Sequence, residues 1–304
     1  MSEFVYKIDI LSENRVELFR EFTNKHYKDF VKVIVNEDKD IFERFVDNII
    51  SELCIGKINV QKLTSLEKMY IMVVLRAYNI SPGISFTTET DETTEEGKPV
   101  MLNINISVVE IAQKIENIPV TPNFKIQSGD VVVNGSLPKK FYYTDPQLAV
   151  ADCITDIILP TGKVIDLSPL ELHQKQEILD TLPSHVLPSV FEFLTKQEEA
   201  VKKEPLLVID TDKNINTDKE THIALFNGSM AEIIKLLYRV NLKEFYVNEY
   251  SLIKKFKFSY DQLQRITPGE LAVYTEVIQE DMKREKQEME KQRHEQNQVF
   301  LPPQ

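Results

Sequence analysis

Residues 63–78 read LTSLEKMYIMVVLRAY, and this stretch decides the fold class. Thr64 and Glu67 have the spacing of a capping box, in which a hydroxyl and a carboxylate satisfy free backbone N–H groups at a helix start. Leu63 is placed for a hydrophobic staple with the first turn. Apolar residues then occupy most faces, so the stretch predicts a helix over about 65–79 that is buried on most sides.

The same start signal recurs along the chain and predicts further helices. Capping-box spacings begin at Ser168, Ser229 and Thr267, and a weaker version that uses glutamine begins at Ser259. Residues 40–50 carry a wide apolar stripe typical of an amphipathic helix. The predicted helical regions are 15–35, 40–50, 65–79, 146–159, 169–195 with breaks near Pro183 and Pro188, 229–240 and 259–296.

Between the helices, alternating residues predict antiparallel strands. Residues 84–90 and 100–108 flank the acidic tip 91–97 and suit a hairpin, with Leu102, Ile104, Ile106 and Val108 on one buried face. A second pair, 124–126 and 131–133, turns at 128–130 and predicts a kink at Asn134-Gly135. Residues 4–11 suit a strand or an extended arm. We therefore predict an α+β fold, mostly helical, with a small antiparallel β region over about 84–137 and a long C-terminal helix.

Composition shifts divide the chain into six expected segments. They are an N-terminal helical segment (1–60), a helix and β-hairpin module (61–140), a helical segment (141–200), a polar loop or insertion (201–222), a C-terminal helical segment (223–280) and a charged tail (281–304).

The net charge, the cysteine count and the length of the apolar runs limit the possible functions and locations of the protein. A formal net charge of −12 in 304 residues disfavours nucleic acid and anionic membranes as partners, because both need clustered lysine and arginine. The two cysteines, Cys54 and Cys153, lie among apolar neighbours and suit buried thiols. With no secretory signal and no apolar run of about 20 residues, we expect the chain to remain in a reducing cytoplasm.

Motifs for catalysis, metals and cofactors are not recognisable. Residues 210–221 start like a calcium loop, but Ile215 replaces the glycine and Thr221 replaces the bidentate glutamate. The five histidines lack metal-binding spacing, and no nucleophile elbow or phosphate loop occurs. We expect no catalytic residue, no metal and no cofactor. An enzyme whose site assembles from distant residues is the alternative from another class.

An aromatic cluster interleaved with lysines offers the candidate interface residues Phe245, Tyr246, Tyr250 and Phe256. We interpret this cluster as buried core, with an exposed protein interface as the alternative, because aromatic residues dominate binding hot spots. The acidic tip 91–96 is interpreted as a solvated turn, with docking to a basic partner as its alternative.

The order of these elements resembles the baseplate hub subunit family of T-even-type bacteriophages. The resemblance rests on residues 63–78, on the strand, loop and strand that end at Val100–Val108, and on the later Leu137-Pro138 step. It is clearest over about 40–140. Some relatives carry cysteines in the loop that corresponds to 87–97, which suits a metal, but this chain has none there, so no metal site is carried over.

The resemblance implies a non-enzymatic late protein that helps build the baseplate hub in the host bacterial cytoplasm, with the virion tail baseplate as a further location. Other hub proteins and the tape-measure protein would be its partners, without nucleic acid or membrane. The alternatives are a chaperone of the tape-measure protein that the virion does not retain, and an adaptor for a host protein. Tyr70 and Arg76 are candidates for structural or interface roles, Arg76 by capping carbonyl groups or pairing with an acid.

Overall fold

Helix α3 (Ser65–Asn79) forms where the sequence predicts it, and its capping box is present. Thr64 Oγ1 accepts the Glu67 backbone N–H at 3.2 Å, and Glu67 Oε2 accepts the Thr64 backbone N–H at 2.9 Å. Every residue from 65 to 76 is buried. Burying one aliphatic side chain stabilises a protein by about 1.5–3 kcal/mol. Because so many of its side chains are buried, this helix contributes much of the stability of the larger core.

The computed structural model describes residues 4–93, 99–118, 123–203, 230–240 and 242–299, with the side chains of all but 86–104, 198, 200–203, 244 and 293–299. Besides α3, the helices are α1 (Asn24–Asn36), α2 (Lys39–Leu53), α4 (Val108–Glu116), α5 (Pro146–Cys153), α6 (Leu172–Leu179), α7 (Val186–Lys203), α8 (Met230–Leu237), α9 (Leu242–Phe256), α10 (Tyr260–Arg265) and α11 (Pro268–Val299). A short 3-10 helix, Val60–Lys62, precedes α3.

The strands form three antiparallel sheets. They are β1 (Val5–Ile10), β2 (Arg15–Arg20), β3 (Gly83–Thr93), β4 (Pro99–Ser107), β5 (Asn123–Ser128), β6 (Val131–Ser136), β7 (Ile154–Ile158) and β8 (Val164–Asp166). β1 pairs with β2, β3 pairs with β4, and β5 to β8 follow one another in a four-stranded sheet. Helices dominate the described chain, which confirms the α+β prediction.

The described side chains form two hydrophobic cores. The first core joins β1, β2 and α1 to α4 with α8 to α11. The second core joins β5 to β7 with α5 to α7, and its residues, 124–194, lie between the two halves of the first core in the sequence. The C-terminal helices therefore return to complete the core that the N-terminal residues begin.

The predicted helix over 15–35 is wrong in its first part. Residues 15–20 form β2, in register with β1 from Val5 opposite Arg20 to Ile10 opposite Arg15. Phe19 is buried and Glu17 is partly buried, whereas Val16 and Leu18 are exposed, so alternate residues of the strand lie on opposite faces. Helix α1 begins only at Asn24.

Two helix predictions in the second core need correction. The helix predicted over 146–159 ends at Cys153, and Ile154–Ile158 forms the inner strand β7 between β6 and β8. The capping box expected at Ser168 is absent, because α6 begins only at Leu172, with Glu171 at its N-cap position. The Ser168 hydroxyl donates to the Thr155 carbonyl instead. Pro188 lies within α7, near its start, and does not break it.

The other local predictions are partly confirmed and partly wrong. Both predicted strand pairs form, and the expected kink at Asn134-Gly135 is a register shift between β6 and β7. The chain turns into α4 at Val108, and β1, β2, β7 and β8 lie outside the predicted β region. Helix α9 is an addition to the prediction, and the expected C-terminal helix is divided at Ile266–Thr267. The side chains of Leu102 and Ile104 lie outside what the structure describes, as do Ser229, the tip residues 94–97 and the polar loop 210–220.

Candidate protein-interaction surface

A buried ion pair fixes α9 against α1. Lys28 Nζ lies 2.6 Å from Glu249 Oε2, and both side chains are almost fully buried. The other carboxylate oxygen of Glu249 accepts the side-chain amides of Asn24 and Gln264. Burial by itself would lower the pKa of Lys28, but the hydrogen bond and charge of Glu249 outweigh it and the pKa is raised. The pair sets which face of α9 points inward.

The ammonium group of Lys28 also faces aromatic rings. Its Nζ lies 4.8 Å from the ring centre of Tyr246, 5.0 Å from that of Tyr260 and 5.8 Å from that of Phe245. These distances are in the range of cation–π attraction. Lys28 therefore holds both α9 and the start of α10.

Helix α9 is buried on one side and apolar on the other. Phe245 and Leu252 belong to the first core, whereas Tyr246 is 42% exposed and Tyr250 is 60% exposed. Phe256 and Tyr260 are exposed as well. The interpretation of the aromatic cluster as buried core is thus correct for Phe245 and wrong for Tyr246, Tyr250 and Phe256.

Helix α11 likewise has a buried side and an exposed side with apolar residues. Leu271 and Ile278 are buried in the first core, while Val273, Tyr274, Val277 and Met282 are exposed. We call the exposed large apolar side chains of α9, of α10 and of α11 as far as Met282 the C-terminal surface; its members are Tyr246, Val247, Tyr250, Phe256, Tyr260, Val273, Tyr274, Val277 and Met282.

Two contacts hold the helices of this surface together. The rings of Phe258 and Tyr274 lie 5.2 Å apart between their centres, and Lys255 Nζ lies 3.2 Å from Met282 Sδ. At the other end, the Ile266 carbonyl between α10 and α11 accepts the backbone N–H of Asn24. The surface is therefore presented by helices that are anchored at several points.

Arg76 and Tyr70 lie inside the first core. Arg76 donates to the carbonyl of Leu237 at the end of α8 and, at 2.7 Å, to that of Ser81 beyond its own helix. Burial lowers the pKa of Arg76. Burial, with the charges of Glu116 and Asp9, raises the pKa of Tyr70 to about 12. Both side chains thus contribute to the packing of α3, and neither belongs to the C-terminal surface.

The two cysteines are held in inert surroundings. Cys54 and Cys153 are free and buried. Burial raises the pKa of both thiols, that of Cys153 to about 12 with a contribution from Asp152, so they stay protonated and weakly nucleophilic at neutral pH. Within the described chain, no three side chains of His, Cys, Asp or Glu are grouped to hold a metal ion. Nor is any described helix long and apolar enough to cross a membrane.

A comparison with protein families shows to which family the chain belongs. A family model described as T4 bacteriophage base plate protein matches residues 1–227. The chain belongs to this family. No curated protein and no solved structure gives a significant match. The predicted resemblance to phage baseplate proteins is confirmed, and membership places this baseplate protein in the phage tail, among other baseplate proteins.

The family match and the C-terminal surface occupy different parts of the baseplate protein. The matched residues end at 227, before α8 begins at Met230. Helices α8 to α11 nevertheless complete the first core. Sequence reasoning found the aromatic residues of this surface but missed Lys28 and Glu249, which position it, because 221 residues separate them and neither follows a local pattern.

Proposed function

We propose that this baseplate protein is a non-enzymatic subunit of the baseplate hub that assembles with other proteins through its C-terminal surface. Its partners are other hub proteins and the tape-measure protein, and assembly takes place in the cytoplasm of the infected bacterium. Family membership supports the baseplate role, and the exposed apolar side chains of α9 to α11 support the mode of action.

The C-terminal surface carries this proposal. Large contiguous apolar patches on soluble proteins mark sites that another molecule covers. Tyrosine is among the residues that dominate binding energy, because one ring supplies both apolar area and a polar hydroxyl. Tyr246, Tyr250 and Phe256 are the anchors in this proposal. Phe245, Tyr70 and Arg76 support the helices from inside.

The alternative role is that of a chaperone for the tape-measure protein that leaves before the virion is complete. It uses the same surface, so the location of the finished protein separates the two roles. Mass spectrometry of purified particles beside a lysate of infected cells makes this distinction. Detection in both supports a hub subunit, and detection in the lysate alone supports the chaperone.

Substitution of the surface tests its role in assembly. Val247→Ser/Tyr250→Ser removes two exposed apolar side chains, and it spares Tyr246, whose ring contacts Lys28. When this variant is supplied in trans to a phage that lacks the gene, we expect the titre of infectious particles to fall at least about tenfold, since one hot-spot residue contributes about 2 kcal/mol or more.

The matched control is Val164→Ser, which removes an exposed valine from β8, in the four-stranded sheet of the second core. It should leave the titre unchanged. Equal titres for wild type, control and the double variant, with normal amounts of folded protein, would refute the proposed interface.

A further inference from the structure

A cleft of about 1050 Å³ opens between the two cores. One wall belongs to the first core and carries the acids Asp40, Glu43 and Asp47 of α2, together with Arg44 and Lys68. The facing wall belongs to the second core and the segment that leads into it; it carries Lys139, Lys140 and Lys175, the acids Asp152 and Glu171, and the side chains of Leu148, Leu170 and Leu172. Charges of both signs therefore line this cleft.

Glu43, on the acidic wall, is already engaged within the protein. It accepts the backbone N–H groups of Phe141 and Tyr142. Burial raises the pKa of Glu43, although these two hydrogen bonds and Lys68 oppose the change. Glu43 thus fastens the segment between the cores through one of its carboxylate oxygens.

Two further acids of the cleft have internal partners as well. Asp47 pairs with Lys68 at 2.7 Å and accepts the side-chain amide of Gln61 at 3.0 Å. Asp152 accepts the hydroxyl of Tyr143 at 2.6 Å. The acids therefore contribute mainly to holding the cleft together.

The lysines of the opposite wall retain free donors. Lys175 is 5% exposed, and its Nζ donates to the Ile154 carbonyl at 3.1 Å, which uses one of the three N–H groups of an ammonium. Burial, followed by the nearby charge of Lys139, lowers the pKa of Lys175, although Asp152 acts in the opposite direction. Two lysines thus share a partly dehydrated site in which an added anion would be attracted.

We propose that the cleft binds an acidic segment of a partner protein, whose carboxylates pair with Lys139 and Lys175. The leucines beside the lysines receive the apolar parts of the same segment. This proposal adds a second contact to the proposed assembly role and names the chemistry of the partner. It is independent of the C-terminal surface in its location and its test.

The leucines of the cleft favour a polypeptide over a nucleic acid. A phosphodiester backbone brings charged phosphates and polar sugars to Leu148, Leu170 and Leu172, whereas an acidic side chain brings methylene groups together with its carboxylate. A polypeptide can direct its carboxylates to the lysines and other groups to α2. Complementary charge of this kind fixes the register of a bound segment.

Fluorescence anisotropy with the purified full-length chain tests the proposal. The probe is a labelled oligoglutamate peptide at low ionic strength, with labelled oligolysine and single-stranded DNA as comparisons. We expect oligoglutamate to bind more tightly than either comparison, and Lys139→Gln/Lys175→Gln to weaken its binding about tenfold or more. Lys139→Gln alone, at a half-buried position, gives a smaller loss and serves if the double variant does not fold.

Lys283→Gln/Lys286→Gln on exposed α11 is the matched control, since it changes the net charge by the same amount. It should leave oligoglutamate binding unchanged. Equal weakening by both pairs, tighter binding of DNA, or no binding of oligoglutamate would each overturn the proposal. Any of these results would leave the assembly role of the C-terminal surface intact, because that role is tested by particle titre.

Discussion

Helices α3 and α11 begin with the same kind of capping box, but α3 is buried and α11 is partly exposed. Thr64 with Glu67 and Thr267 with Glu270 form capping boxes whose hydrogen bonds agree within about 0.1 Å. Yet residues 65–76 are buried throughout, whereas α11 exposes Val273, Val277 and Met282. The comparison teaches that a cap sets where a helix begins, and that the residues on its faces decide whether it serves the core or a partner.

The largest effect is expected where the C-terminal helices join the first core. Lys28→Met leaves the carboxylate of Glu249 buried without its cation, which costs about 3–5 kcal/mol of unfolding free energy. Urea denaturation measures this loss. Because the folded-state pKa of Lys28 is raised above its ordinary value of 10.5, the contribution of the pair is complete at neutral pH and is lost only as the pH rises through that raised value.

Lys32→Met is the control for this prediction. Lys32 pairs with Asp29 at 2.9 Å on the exposed side of the same helix, where an ion pair contributes about 1 kcal/mol or less. Similar losses for the two variants would show that α9 is not anchored by the buried pair. The double variant Lys28→Met/Glu249→Leu should recover part of the loss, since it leaves no unpaired charge.

The next largest effect is a difference in stability between a buried position of α3 and an exposed position of α11. Leu75→Ala removes a fully buried side chain from α3 and should cost about 2–5 kcal/mol. Val277→Ala removes an exposed one from α11 and should change stability by no more than about 0.5 kcal/mol. Urea denaturation of both variants checks the contrast. A loss at Val277 as large as that at Leu75 would mean that the exposed side of α11 is part of the core.

The smallest effect tests the feature that the helices share. Thr64→Ala and Thr267→Ala each remove the hydroxyl that accepts an N–H at the helix start, so each should cost about 0.5–2 kcal/mol. Thermal and urea denaturation give the two values. The comparison would fail if either substitution were neutral, because its box would then not stabilise the helix.

The sequence predicts the fold best where a local signal agrees with the tertiary surroundings. Helix α3 has its predicted bounds because the capping box and the apolar faces act together. The box predicted at Ser168 fails because the helix there begins only at Leu172, and the Ser168 hydroxyl donates to the Thr155 carbonyl of a strand. The sequence predicts a helix where Ile154–Ile158 forms a strand, since a short apolar run fits either structure until its neighbours in the sheet are known.

The sequence predicts only part of the candidate surface. The aromatic cluster is visible in the sequence, but which rings face outward depends on Lys28 and Glu249, 221 residues apart. The cleft lysines, Lys139 and Lys175, likewise line one cleft although they are far apart in the sequence. Long-range pairs of this kind leave no periodic trace, so the structure was needed to find them.

Hydroxyl-radical footprinting of the baseplate protein, alone and in assemblies with other baseplate proteins from infected cells, tests the central claim most directly. The account predicts that oxidation of Tyr246, Tyr250 and Met282 falls several-fold on assembly, while that of Phe191, exposed on α7, stays constant. If those three side chains were oxidised equally in both states while other residues became protected, the C-terminal surface would not be the interface.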